Sequence, residues 1–133
     1  MLQSVDLRDY MITNPLKVMD DVSLFETMKI IIDNKVSGVC VINEDSKLVG
    51  ILSEMDCLSA ILKATYNGSG VGLVSEYMTK EGLVVAQPGD DIINVAQDML
   101  LKKHRRRPVV ENGKLVGQVS CRQLLSAVEQ FRK

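Results

Sequence analysis

Gly50-Ile51-Leu52-Ser53-Glu54-Met55-Asp56 is an apolar segment of the β-strand type that runs directly into a helix-start signal. Its copy is Gly117-Gln118-Val119-Ser120-Cys121-Arg122-Gln123, and the preceding Lys-Leu-Val recurs at the same spacing. The offset from Gly50 to Gly117 is 67 residues, close to half of the 133-residue chain. The chain is therefore a tandem repeat, and we expect its chemistry where the two copies differ.

Each half predicts the order strand, helix, strand, strand, helix. Leu16 to Val18 and Leu83 to Ala86 are the predicted first strands, and Asn112-Gly113 is a predicted two-residue hairpin turn. Ser53 and Ser120 are the predicted N-caps of the last helices.

The similarity between the two copies within the chain sets the predicted domain boundaries. We expect residues 1–66 to form the first repeat with a short lead-in helix, and residues 73–133 to form the second repeat with its own lead-in helix. Residues 67–72 are rich in glycine but lack the Lys-Ser/Thr of a phosphate loop and follow a predicted helix, so they are a predicted linker. In the helix after Ser53, the predicted apolar face consists of Met55, Leu58, Ile61 and Leu62.

Composition excludes several classes of protein. With 46% hydrophobic and 25% charged residues, the chain can form a sizeable core. No apolar run approaches the roughly 20 residues that cross a bilayer. Residues 1–10 are too polar for a secretory signal, so we expect a soluble, cytoplasmic protein. Three scattered cysteines and a single histidine, His104, indicate no disulfide framework, no metal site and no enzyme.

The two halves differ in charge although the net charge is only −1. The first 66 residues contain 6 Lys and Arg against 10 Asp and Glu, whereas the rest contain 10 against 7. An anionic ligand is therefore expected to find its positive partners mainly in the second repeat.

The pattern as a whole resembles a pair of cystathionine-β-synthase (CBS) domains. The motifs are Pro108-Val109-Val110, the two Lys-Leu-Val-Gly returns, and the Gly-apolar-apolar-Ser-x-x-Asp ending at Asp56. The resemblance implies an α/β (α+β) fold of two β-α-β-β-α repeats packed about a pseudo-two-fold axis with clefts beside the contact. It further implies regulation rather than catalysis, an adenine nucleotide (AMP, ADP or ATP) or S-adenosylmethionine as ligand, a homodimer, and an unknown regulated protein.

Ser53 and Asp56 are the first candidate site residues. A serine that caps a helix directs its hydroxyl and the free backbone amides toward one spot, which suits a phosphate. A carboxylate one turn further along can accept two hydrogen bonds from a ribose diol. The resemblance assigns the same roles to this pair. The alternative is that Ser53 and Asp56 form only a capping box.

The resemblance places the phosphate ligand two residues before the Pro-Val strand, at Arg106, with Arg105 as a possible second contact. The equivalent residue of the first repeat is Gly38. Arg122 lies in the first turn of the last helix, where a cation opposes the helix dipole and a bound phosphate would reverse that penalty. The alternative for Arg122 is simple extension into water.

The remaining site residues also follow from the resemblance. Leu83 and Val84 would pack the adenine ring of the main site. A weaker second site would use Pro15, Leu16, Ser120 and Gln123. Gln123 replaces the carboxylate there, and its uncharged amide can still hydrogen-bond a ribose.

Two other functions compete with nucleotide sensing. One is a structural module with empty clefts that only dimerises or binds a partner protein. The other is nucleic-acid binding through residues 102–107, which hold five basic residues around His104. A net charge of −1 and 4% aromatic residues disfavour the nucleic-acid function.

Overall fold

The computed structural model describes residues 4–130 apart from the side chain of Gln130, and the chain forms two compact units. The first-repeat unit is Leu16–Leu83. The second-repeat unit combines the N-terminal segment up to Pro15 with the chain from Val84 onward. The predicted repeat boundaries follow sequence similarity, whereas the compact units divide the chain after Pro15 and Leu83. The ends of the predicted domains, at residues 1–3 and 131–133, lie outside the described residues.

The first-repeat unit has a three-stranded sheet with two helices. Its elements are β1 (Lys17–Met19), α1 (Leu24–Asn34), β2 (Gly38–Ile42), β3 (Leu48–Ser53) and α2 (Glu54–Asn67). β1 and β2 pair in parallel, and β2 pairs antiparallel with β3. Parallel neighbours need a crossover connection, and α1 provides it. This is the predicted order.

The second-repeat unit has a two-stranded sheet with two helices. Its elements are α3 (Ile92–Lys102), β4 (Arg106–Glu111), β5 (Lys114–Ser120) and α4 (Cys121–Gln130). The β4–β5 hairpin turns at Asn112 and Gly113, both with positive φ, of 54° and 80°. Two positive φ values are typical of a type I′ turn, so the predicted hairpin turn is confirmed.

The predicted strand at residues 83–86 is present as only one pair, in which Ala86 bonds in parallel to the β4 backbone beside Val109. The backbone N–H of the next residue, Gln87, donates to the Asp90 carboxylate at 2.8 Å. That bond places Gln87 in the turn at Pro88 and Gly89, so the pairing ends at Ala86, and residues 83–85 form no strand.

Each lead-in turn packs on a repeat other than the one that follows it in the sequence. The 3₁₀ turn Val74–Glu76 belongs to the first-repeat unit, where fully buried Val74 joins the core and Thr79 exchanges two backbone hydrogen bonds with Ile51. The turn Leu7–Asp9 belongs to the second-repeat unit, where fully buried Leu7 joins the core and Ile12 bonds to Gln118.

The predicted apolar face of α2 lies largely outside the core. The buried residues of α2 are Cys57 and Ala60. By contrast, Met55 is 78% exposed, and Leu58 and Leu62 are each 61% exposed. The periodicity identified an apolar side of the helix correctly, but this side is not the one that packs on the sheet.

Candidate functional site

Ser53 and Asp56 meet where β3 runs into α2. The Ser53 Oγ accepts a hydrogen bond from the Asp56 backbone N–H at 3.0 Å, and the Asp56 Oδ2 accepts one from the Ser53 N–H at 3.0 Å. These reciprocal bonds are a complete capping box, so the structural role of the pair is confirmed. The box uses only one carboxylate oxygen.

The expectation of free amides at this helix start is wrong for three of them. The Ser53 and Asp56 amides are used in the capping box, and the Glu54 N–H donates to the Ser37 carbonyl at 2.8 Å. The hydrogen-bonding groups left at this junction include the Met55 backbone N–H, the Ser53 hydroxyl proton and the remaining acceptor capacity of the Asp56 carboxylate.

The strand opposite Ser53 offers only backbone. Gly38 is the cross-strand partner of Ser53, and a Cβ at position 38 would lie 2.8 Å from the Leu52 carbonyl oxygen. In the second-repeat unit the partner of Ser120 is Arg106. The two sheets thus match Gly38 with Arg106 as predicted, and only the second unit has a side chain at this position.

The basic run at 102–107 does not form one exposed stripe. Arg107 is 3% exposed, and its Nη1 lies 2.8 Å from the Asp98 Oδ2. Lys102 bonds to the same carboxylate oxygen at 3.0 Å. Mainly through the hydrogen bond from Lys102, and also through Arg107, the pKa of Asp98 lies below its usual value. Two of the five basic side chains therefore share one carboxylate within the unit.

The other arginines of the candidate site are more accessible. Arg105 and Arg122 are exposed and Arg106 is half-buried. Arg122 lies in the first turn of α4, as predicted. These three residues, and not the whole run, remain as candidate phosphate ligands.

The copy of the capping box in the second-repeat unit is half formed. The Gln123 N–H donates to the Ser120 Oγ at 3.2 Å. The buried Oε1 of Gln123 has no hydrogen-bond partner among the described residues. Replacing the carboxylate by an amide therefore leaves an unsatisfied acceptor at the weaker candidate site.

The predicted adenine-packing residues fall on both sides of the division between units. Leu16 and Leu83 end the first-repeat unit, and Pro15 and Val84 border them in the second-repeat unit. Pro15 is buried and the other three are half-buried. Leu16 also packs against the first core. Their apolar surface suits a planar ring, as well as ordinary core packing.

Sequence reasoning missed Asp98, whose carboxylate pairs with Lys102 and with the buried Arg107. The available signal was its equivalence to Ile30 of α1, an apolar residue at the same helix position, which marks Asp98 as unusual. Among residues 4–130 we find no group of three His, Cys, Asp or Glu side chains placed to hold a metal ion. Within the same range, no helix combines the length and apolarity needed to cross a bilayer.

The family model described as the CBS domain matches residues 7–63 and again residues 74–130. The chain belongs to the CBS domain family. The two matches cover both repeats, and the pairing of strands and helices described above is that of a tandem CBS pair.

Similar proteins include larger ones. An uncharacterized protein of Methanocaldococcus jannaschii is 26% identical over 86% of this chain, which spans 39% of that protein. Inosine-5′-monophosphate dehydrogenase of Aquifex aeolicus is 34% identical over 86% of this chain, which spans 23% of the enzyme. The chain thus corresponds to a minor part of these curated relatives.

Among solved structures, CBSX2 in complex with AMP matches with a TM-score of 0.84 and 26% identity. The match covers 98% of this chain and 100% of that one. CBSX2 is a CBS-pair protein of Arabidopsis thaliana.

Proposed function

We propose that this CBS pair is a regulatory module that binds an adenine nucleotide, namely AMP, ADP or ATP. S-adenosylmethionine is the alternative adenosine ligand. The observation that carries the proposal is the Ser53–Asp56 pair at the start of α2, in a chain of which 98% matches CBSX2 in complex with AMP.

The ribose is the part of the ligand that we assign to Asp56. Since the capping box occupies Oδ2 with a single bond, the carboxylate keeps lone pairs for the two ribose hydroxyls. The Ser53 hydroxyl accepts from the Asp56 amide and can still donate its own proton to a phosphate oxygen.

The phosphates are assigned to Arg106, with Arg105 and Arg122 as further contacts, and the adenine to Leu83 and Val84. An arginine binds phosphate oxygens through a planar fork of N–H donors. The second site, formed by Pro15, Leu16, Ser120 and Gln123, is expected to be weak because the glutamine carries no charge.

We further propose the setting in which the module acts. It would be a cytoplasmic homodimer that transmits ligand binding to an unidentified regulated protein, without catalysis. Three free cysteines suit a reducing compartment. A ligand bound to one arrangement of the repeats shifts the population toward that arrangement and toward any partner that recognises it.

Asp56→Asn separates capping from ligand binding. An asparagine Oδ1 can still accept the Ser53 N–H, so the melting temperature should change little. Loss of the charge should weaken the binding of AMP, ADP and ATP by about 10- to 100-fold, the range expected for charge-assisted hydrogen bonds. Calorimetry on wild type, Asp56→Asn and the matched helix-start variant Glu26→Gln tests this. Unchanged affinity in Asp56→Asn would refute the ribose site.

Arg106→Gln tests the phosphate assignment. The substitution should weaken ATP binding about tenfold or more and adenosine binding much less, because of these two ligands only ATP carries phosphates. Arg105→Gln is the neighbouring control and should have the smaller effect. Equal losses for ATP and adenosine would remove Arg106 from the phosphate site. No binding heat with any adenosine ligand would instead favour a purely structural interaction module.

A further inference from the structure

The second-repeat unit contains a polar clamp at the start of β4, which we define as Asp98, His104 and Arg107. The Arg107 Nη1 lies 2.8 Å from the Asp98 Oδ2, and the Arg107 Nη2 lies 3.2 Å from the His104 Nδ1. Asp98 belongs to α3, whereas His104 lies in the short link between α3 and β4. One buried guanidinium therefore ties the strand both to the preceding helix and to the link.

The backbone follows the same path in the two units with and without the clamp. The helix before the link ends at a left-handed residue in both units, Lys35 with φ 54° and Lys103 with φ 58°. The first N–H of the last helix then donates to a carbonyl of the link, from Glu54 at 2.8 Å in one unit and from Cys121 at 2.9 Å in the other. The clamp is therefore not needed to form the link.

The clamp is also unfavourable for folding. Arg107 is 3% exposed, and its Nε has no hydrogen-bond partner among residues 4–130. Burying a charged group with an unsatisfied donor opposes folding. At the three clamp positions the first-repeat unit has apolar residues instead, Ile30, Val36 and Val39. Side chains that break a packing rule without a structural need are expected beside functional residues.

The residue that precedes Arg107 is the assigned phosphate ligand. Arg106 is the first residue of β4, and it pairs with Ser120, the last residue of β5. The end pair of a ladder opens more easily than the pairs inside it. In the first-repeat unit the equivalent end pair contains Gly38, which has no side chain to direct. Opening of the end pair therefore affects ligand binding only in the second-repeat unit, where it would change the direction of the Arg106 side chain.

We propose that Arg107 is a positioning residue for Arg106 and acts through the clamp. Neighbouring residues of a strand direct their side chains to opposite faces. The guanidinium of Arg107 can thus be fixed on the buried face while Arg106 stays available to a phosphate on the other. A strand start that is fixed in this way orders Arg106 before the ligand arrives, and such preorganisation raises affinity. This inference rests on the phosphate site of the proposed function and adds what holds its main ligand in place.

The triple variant Asp98→Ile, His104→Val and Arg107→Val tests the proposal, because it replaces the clamp with the residues of the first repeat. It removes one carboxylate together with one guanidinium, so long-range attraction to ATP is preserved. ATP binding should weaken by about 3- to 10-fold, and adenosine binding should stay nearly unchanged. Calorimetry measures both affinities, and urea unfolding verifies the fold. The matched control is Lys29→Gln with Asp33→Asn, which removes an exposed ion pair and should change neither affinity.

A double-mutant cycle with Arg106→Gln shows whether the clamp acts through Arg106. In the Arg106→Gln protein, the triple substitution should have no further effect on the ratio of ATP affinity to adenosine affinity. A loss of ATP affinity that persists in this protein would overturn the positioning role, and so would an equal loss for adenosine. Full ATP affinity in the triple variant alone would mean that the clamp serves packing only.

NMR relaxation tests the clamp in the absence of ligand. The backbone N–H order parameter of Arg106 should fall in the triple variant, whereas that of Gly38 should keep its wild-type value. An unchanged order parameter at Arg106 would refute the positioning role. If Arg106→Gln leaves ATP affinity unchanged, the phosphate assignment fails and the positioning role fails with it. If Arg106→Gln weakens ATP binding but the triple variant does not, the positioning role fails alone.

Discussion

The two repeat units fill the contact between their first helix and their sheet with different side chains. In the first-repeat unit these are the apolar residues Val39, Ile30 and Val36. At the equivalent positions the second-repeat unit has Arg107, Asp98 and His104. The Arg107 guanidinium lies 2.8 Å from the Asp98 carboxylate and 3.2 Å from the His104 Nδ1. A guanidinium only donates, so the His104 Nδ1 is the acceptor in this contact.

The difference shows that the fold itself does not require a buried charge at this position. Arg107 nevertheless has no partner for its Nε among the described residues, so the ion pair is not fully satisfied. Burying an ion pair is often no more stable than burying apolar residues of similar volume. The pair does hold Arg107 away from solvent, so that only part of the basic run remains accessible.

The largest expected effect distinguishes the two cores. Leu7→Ala removes a fully buried side chain that the N-terminal segment contributes to the second-repeat core, and Leu24→Ala does the same in the first-repeat core. Each should cost about 2–5 kcal/mol of unfolding free energy. Hydrogen exchange should show lost protection in the second-repeat unit for Leu7→Ala and in the first-repeat unit for Leu24→Ala. Loss confined to the first unit in both variants would contradict the described packing.

A smaller effect is expected at Asp98. Asp98→Ala leaves the buried Arg107 guanidinium without its carboxylate, which lowers the midpoint of urea unfolding. Because the Asp98 side chain is 35% exposed, water softens this loss. The triple variant Asp98→Ile, His104→Val and Arg107→Val introduces the apolar residues of the first repeat and should restore the midpoint of urea unfolding. Asp33→Ala, which removes an exposed ion pair with Lys29, is the control.

The Asp98 contribution should also depend on pH. Its pKa is lower in the folded protein than the value of about 3.9 in an unfolded chain. The stabilisation is therefore complete above the unfolded value and is lost as pH falls through the folded value. The difference in urea midpoint between wild type and Asp98→Asn should be constant near neutral pH and shrink below about pH 4. A constant difference down to pH 2 would exclude this linkage.

The smallest effect compares the two helix caps. Ser53→Ala breaks a complete capping box and should cost about 1 kcal/mol of unfolding free energy. Ser120→Ala breaks a box whose return bond is already missing and should cost about half as much. Urea unfolding of both variants measures the ratio. Equal costs would mean that the second bond of the box adds nothing.

The repeat and the local signals were readable from the sequence. The helix start at Ser53, the Asn112-Gly113 turn and the match of Gly38 with Arg106 all depend on short-range patterns or on strand register. Local hydrogen bonds and backbone preferences determine such features, and these are properties of neighbouring residues.

Long-range packing was not readable in the same way. Periodicity showed that one side of α2 is apolar but not what covers it, so the exposure of Met55 and Leu58 was not anticipated. Arg107 looked like one more surface cation because its partner Asp98 lies on the preceding helix, nine residues away in sequence. For the nucleotide site, sequence and family together nominate the residues, and the assignment of ribose and phosphates stays a prediction.

The location of Leu7 has a consequence for the order of events during synthesis. The first-repeat unit is one continuous stretch, Leu16–Leu83, and can fold as soon as that stretch has left the ribosome. The second-repeat unit needs its earliest and its latest residues together. The segment up to Pro15 therefore cannot pack on its unit until the β4–β5 hairpin has been made, and Leu7 stays exposed until then. During that interval the segment can pack instead on the second-repeat unit of another copy, so exchange of this segment between copies is the misfolding error expected of this topology.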